Sequence, residues 1–257
     1  MVKYLKIIIS IALVFSMAGA FNSCNDYVQD IEDPISSIGD EDMNIPSDVP
    51  FLVKGVQTAF SIVWDETSCF AGGLSDELGF STDIKQATFP TFEAIDSATT
   101  GILLPQNNST EAIMDQLAQL RLYADTLITR VNEKINFSED EMDIKNSGLF
   151  TGYFFSAVAR YMWAAYWALE PDQPGGVINV SPLIPDTQLY NDALSRLDEA
   201  LNYASDAQKP MIYTMKARIH MILGEYTLAK TAADMGMTSA DAPFSALYNT
   251  IENNYWY

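Results

Sequence analysis

The side chains with chemical potential are two thiols, Cys24 and Cys69, one imidazole, His220, and 34 carboxylates. Cys24 has the most informative surroundings. Lys3 and Lys6 form a positive start, residues 7–18 (IIISIALVFSMA) follow as an apolar stretch, and Gly19, Ala20, Phe21, Asn22 and Ser23 lead into the cysteine. A positive n-region, a short apolar core and small residues before a cut make an export signal. A thiol just after such a cut is a site for acylation, although Phe21 stands where an aliphatic residue is usual. A multiply acylated cysteine buries dozens of methylenes at about 0.8 kcal/mol each, enough for a permanent anchor. The competing reading is ordinary cleavage after Ala18-Gly19-Ala20, which leaves Cys24 free or paired with Cys69. Under acylation Cys69 is a lone thiol, expected to pack as a small hydrophobe.

The remaining candidates point away from catalysis. One histidine cannot build a His-based metal site, and neither a Ser/His/Asp arrangement nor a Gly-rich phosphate loop is recognisable. His220 lies on a helix face where an aromatic would pack, so packing is its expected role. Paired carboxylates can hydrolyse glycosides. With 34 acids in the chain, however, chance proximity carries no signal. The sequence therefore predicts a non-enzyme without a cofactor or metal.

Charge narrows the partners. The formal net charge is −20, and the export segment carries two lysines and no acid, so the mature chain is more acidic still. Nucleic acids and anionic membrane surfaces attract basic proteins, and both are excluded as partners here. Hydrophobic content of 48% with 12% aromatics excludes general disorder. As a helix the stretch at 7–18 would rise about 18 Å, too little for roughly 30 Å of hydrocarbon. The expected organisation is a signal at 1–23, an acidic tether at 24–50 punctuated by Pro34, Gly39, Pro46 and Pro50, and a folded domain over 51–257.

The elements are helical. After Pro50, the positions Leu52, Val53, Val56, Ala59, Phe60, Val63 and Trp64 form one apolar face. A loop-rich region follows from about 66 to 109. Ser109 or Thr110 caps a second helix along Ile113, Leu117, Leu120, Ala124, Leu127 and Val131. Residues 136–147 read as a connection. From about 148 a helix carries aromatics on nearly every side (Phe150, Tyr153, Phe154, Tyr161, Trp163, Tyr166, Trp167), a pattern that predicts burial all round. Prolines and glycines end it, and helices resume at about 188–204, 209–223 and 225–236. No alternating strands are legible, so the fold class is all-α.

Two of these helices share a pattern at an offset of 36 residues: Tyr190, Ala193, Leu197 and Ala200 match Tyr226, Ala229, Ala233 and Gly236. Gly224-Glu225-Tyr226 followed by Ala229, with Ala217 in the preceding helix, has the form of a tetratricopeptide (TPR) repeat at about 188–237. Helix axes 8–10 Å apart need small residues where they cross.

In this order along the chain, the pieces resemble the SusD/RagB-like family of nutrient-binding outer-membrane lipoproteins. Cys24-Asn25-Asp26-Tyr27 is similar to its lipidated start, Asp76-Glu77 to an acidic pair after its first helix, and residues 111–134 to its second helix. Gly175-Gly176-Val177 resembles its Gly-Gly-Val-Pro turn, with Ile178 in place of proline, and Ala217 through Ala229 fits its repeat. The aromatic helix departs from it by lacking an arginine-centred motif. The family usually continues for a comparable length beyond the position of Tyr257, and the ending Tyr255-Trp256-Tyr257 leads us to expect a truncated or split product.

The resemblance implies a SusD-like α-helical fold of TPR-like hairpins with long loops. It also implies an outer-membrane, surface-exposed location, and capture of an oligosaccharide or peptide for a TonB-dependent, SusC-like transporter. The family places its ligand face on loops after the first helices, which here suggests Asp83, Phe89, Phe92, Asn107 and Asn108. For Phe89 and Phe92 the competing role is pinning the loop to the core. The alternative function is a TPR scaffold lipoprotein that binds only proteins. The anchor is testable by itself. Cys24→Ser should move the exported protein from the membrane fraction to the soluble fraction, and retention at the membrane would refute acylation there.

Overall fold

The computed structural model describes residues 39, 42–75, 77, 108–167, 174–175, 184–242, 244–246 and 248. The chain divides into two compact units, Met1–Met43 and Asn44–Tyr257, and the helices described below belong to the second. A 3-10 turn at Pro46–Asp48 leads into α1, Val49–Leu74. The Ile45 backbone N–H donates to the Asp48 carboxylate at 3.2 Å. Pro50 falls in the first turn, where its missing N–H costs nothing. Helix α1 thus starts slightly before the expected position and ends well after it. Residues 66–74 are helical rather than loop, because Thr67, Cys69 and Phe70 continue the buried side begun at Val56, Phe60 and Val63. Trp64, expected on that side, is 43% exposed and stacks on Phe60 with ring centroids 5.9 Å apart.

Helix α2 spans Asn108–Thr129 and passes into a π-helical turn at Arg130–Lys134. The predicted stripe is correct: Ile113, Leu117, Leu120, Ala124, Leu127 and Val131 are all buried. The connection is shorter than the sequence suggested. A 3-10 turn at Glu139–Glu141 opens directly into α3, Met142–Trp167. Ser138 and Glu141 explain the early start, since the Ser138 N–H donates to the Glu141 carboxylate at 2.9 Å in a Ser-x-x-Glu cap.

Helix α3 is the centre. It packs against α1, against α2, and against α4, Asp186–Leu201. Leu149, Phe150, Phe154, Ala157, Val158, Met162 and Trp163 are buried, but the helix is not buried all round as the aromatic pattern predicts: Tyr153 and Tyr161 are half-buried and Tyr166 is 38% exposed. Two glycines let the neighbours approach. A Cβ on Gly148 would stand 2.9 Å from Val49 Cγ1 and 3.1 Å from Val131 Cγ2. One on Gly152 would stand 2.6 Å from Ile128 Cγ1 and 3.2 Å from the Ala124 carbonyl oxygen.

Helix α4 passes to α5, Lys209–Ile222, and α5 pairs with α6, Tyr226–Ala233. Ser205 opens α5 as Ser138 opens α3: its N–H donates to Gln208 Oε1 at 2.9 Å. Between α5 and α6, Gly224 adopts φ +74°. The Glu225 N–H donates to the His220 carbonyl at 2.8 Å and the Gly224 N–H to the Met221 carbonyl at 3.2 Å. This is a Schellman turn, and it requires the left-handed residue at Gly224.

The chain is all-α. Among the described residues the one strand pairing is a two-residue antiparallel contact, Pro174–Gly175 against Ile184–Pro185, and no helix is long and apolar enough to cross a membrane.

The 36-residue repeat is matched in part. Tyr190, Ala193, Leu197 and Ala200 are buried on α4, and Ala229 is buried on α6. Gly236 lies just beyond α6, where a Cβ would meet Thr214 Oγ1 at 2.9 Å. Tyr226, however, is 72% exposed, Ala233 is exposed, and Ala232 takes the inner position instead. With eight residues, α6 buries only the side that faces α5. Packing of this kind sorts the glycines. Gly152→Val should cost about 1–3 kcal/mol by overpacking. Gly55→Ala, at a helical position with nothing within 4 Å, should add about 0.5–1 kcal/mol. Thermal melts of both variants check this, and equal shifts would refute the close approach at Gly152.

Candidate functional site

The family-type ligand residues fall largely outside the described structure. Cys24, Asp83, Phe89, Phe92 and Asn107 lie outside the described residues, as does Asp76, while Asn108 is the first residue of α2. Glu77 returns its N–H to the Gly72 carbonyl at 3.0 Å. The described residues instead bring together an aromatic cavity and a charged cluster on opposite parts of α3.

The cavity has a volume of about 480 Å³. Its walls are Val53, Gln57 and Phe60 from α1, Ser147, Phe150, Thr151, Phe154 and Phe155 from α3, the start of α5 around Pro210 and Met211, and the segment from Met237 to Ala246. That segment crosses back over the first and third helices. Phe244 brings its ring to 5.5 Å from Phe60 and 5.8 Å from Phe154, and Phe60 lies 5.0 Å from Phe155. Edge and offset contacts at these distances are favourable ring geometries. Two further bonds fix the segment. Thr238 donates its N–H to Asp241 Oδ2 at 2.6 Å, and Tyr248 donates its hydroxyl to the Ser61 carbonyl at 2.8 Å. Burial, then the charge of Asp65 and the nearby Cys69, push the Tyr248 hydroxyl up to about 12, so it stays a donor.

The charged cluster joins α2 to α3. Arg160 donates from Nη2 to Asp125 Oδ2 at 3.0 Å and from Nη1 to Oδ1 at 3.3 Å. Ser156 Oγ donates to the same carboxylate at 2.6 Å, and Arg160 Nη1 reaches the Ser156 carbonyl at 3.0 Å. The Arg160 side chain is 8% exposed and that of Asp125 29%. Beside this clamp a surface depression is lined by Tyr153, Arg160, Asp192, Ser195, Arg196 and Glu199. There the Tyr153 and Tyr203 rings stack at 5.9 Å, with the Arg196 guanidinium 5.9 Å from the Tyr153 ring. Each charge in the clamp is matched within the protein, so its chemistry is structural.

The other reactive groups are quiet. Cys69 is a buried free thiol, and burial, with Asp65 and Glu66 nearby, pushes it up to about 11. A thiol so raised is a poor nucleophile, which matches its expected role as a small hydrophobe. His220 has a 13% exposed side chain and lies with Nδ1 2.6 Å from Glu225 Oε2, so it bridges the α5–α6 turn as well as packing. Among the described residues, no group of three or more His, Cys, Asp and Glu side chains could hold a metal.

Sequence reading missed Phe244, Asp125 and Arg160. No periodicity marks a cavity wall drawn from four separate segments. Arg160 did leave a trace: a cation inside an apolar helix four residues after a serine needs a buried counter-charge. No family model, curated protein or solved structure matches the chain.

The clamp makes stability depend on pH. Burial alone would raise the Asp125 carboxyl, but the Arg160 hydrogen bond and charge, Ser156 and Arg196 outweigh it and hold it below the ordinary aspartate value of 3.8. A carboxyl lower in the folded than in the unfolded chain adds stability above its unfolded value, and that stability is lost as pH falls through the folded value. Asp125→Asn leaves Arg160 without its counter-charge and should cost about 3 kcal/mol at pH 7. In urea unfolding, the gap from wild type should narrow below the ordinary aspartate value; a gap constant with pH would refute the ion pair's contribution.

Proposed function

We propose that this chain is a SusD/RagB-like lipoprotein of the bacterial outer membrane. In this reading it captures oligosaccharide or peptide nutrients and delivers them to a TonB-dependent, SusC-like transporter. The observation that carries the reading is an aromatic-walled cavity on a helical body in which, among the described residues, the Cys69 thiol is buried and the His220 imidazole and Arg160 guanidinium are met by carboxylates. Ligand sites are concave, mostly apolar and largely preformed, and such a cavity favours holding over reacting. Cys24 supplies the tether, the acidic stretch between it and the helical turn at Pro46–Asp48 the reach, and the paired helices a rigid frame. Asp83, Phe89, Phe92, Asn107 and, at the first position of α2, Asn108 would supply further ligand contacts.

A second reading has its own observation. Met221, Ile222, Tyr226 and Leu228 are exposed by 49–72% around the α5–α6 turn, and a TPR scaffold that binds only proteins would use such a surface. The two readings separate in one experiment. Acylated protein is recovered from outer membranes with its partners, then titrated with oligosaccharide and peptide mixtures. Capture predicts both a co-purified TonB-dependent transporter and a saturable ligand signal that weakens in Phe89→Ala or Phe92→Ala. A stable protein partner with no ligand signal would replace capture by the scaffold reading.

A further inference from the structure

The composition of the cavity wall selects among ligands. Five phenylalanine rings and the side chains of Met211 and Met237 form the apolar part of the wall, with serine, threonine, glutamine and aspartate side chains between them, and burying a sugar's unmatched hydroxyls against the apolar part is costly. An aromatic or large aliphatic side chain gains from the same surface, by loss of water and by edge contacts with the rings. Flexible methionines let the wall adapt to more than one such group. The volume of about 480 Å³ lies within the span of roughly 300–1,000 Å³ usual for small-ligand sites.

The rim adds polarity and sign. Among the described residues Gln57 and Ser147 make no side-chain hydrogen bond, which leaves an amide and a hydroxyl to meet a main chain lying across the mouth. Among the described lining residues Asp241 is the one that carries a charge, on a chain of formal charge −20. Acidic flanks on a ligand would be repelled and basic ones attracted.

We infer that the cavity beneath Phe244 is a side-chain pocket for short peptides, taking one large apolar residue with basic or neutral neighbours. This rests on the capture reading and narrows it from oligosaccharide or peptide to peptide at this site. The Phe244 ring, 44% exposed, forms one lip, and the α3 rings form the floor.

The test titrates the full chain carrying Cys24→Ser with acetyl-Lys-Phe-Lys-amide, acetyl-Lys-Ala-Lys-amide and a linear gluco-oligosaccharide, by calorimetry. The phenylalanine peptide should bind at least about tenfold tighter than the alanine peptide. Ser147→Trp on α3 and Ala242→Trp on the returning segment place bulk in the lining, at exposed positions. Each should abolish the preference while leaving the melting temperature within a few degrees. Preference retained in both folded variants would overturn the pocket. Oligosaccharide binding without peptide binding would overturn the peptide assignment and leave capture standing. Binding of neither would overturn both.

Discussion

The structure depends on how closely other helices can approach α3. At Gly148 and Gly152 the neighbouring chain comes so near that any side chain would collide with Val49, Val131 or Ile128. Four residues apart, the two glycines share one face of the helix. This sets the distance of α2 and of the start of α1 from α3. Close approach also removes water from the helix that carries the most aromatic surface, where each buried ring gains most.

Burial of Arg160 creates a polar problem that the clamp solves. Arg160 points from α3 into protein, where an unmatched charge would be expensive. Asp125 on α2 meets it with both oxygens, and Ser156 completes the set. Hydrophobic contact alone would let two apolar helices slide or rotate against each other. A bidentate ion pair with a hydroxyl partner has few acceptable geometries, so it fixes register as well as distance. The same α3 therefore presents two differently built sides, a matched polar seam toward α2 and a phenylalanine wall toward the cavity.

Much of the fold was legible because helices announce themselves locally. The stripe from Ile113 to Val131 and the aromatic crowding after residue 148 were each readable in a window of a few turns; the stripe is buried throughout, whereas the aromatic helix leaves Tyr166 38% exposed. The two boundaries that differ from expectation carry local signals of their own. Ser138-Glu139-Asp140-Glu141 is a capping sequence, and Phe70 follows Val63 at helical spacing. The repeat was half legible. Ala229 and Gly236 sit at close approaches, but Tyr226 faces outward because sequence similarity between two helices does not state what packs on each side of them.

By itself the sequence determined the all-α class, the buried central helix, the turn at Gly224 and the acidity of the surface, since each follows from residue type and spacing within one stretch. Only the tertiary structure decided that Phe60, Phe154 and Phe244 share a cavity and that Asp125 meets Arg160. Those partners are separated by 35 to 184 positions along the chain. Contact at such separation is fixed by helix crossing and chain return, and neither is encoded in any local pattern.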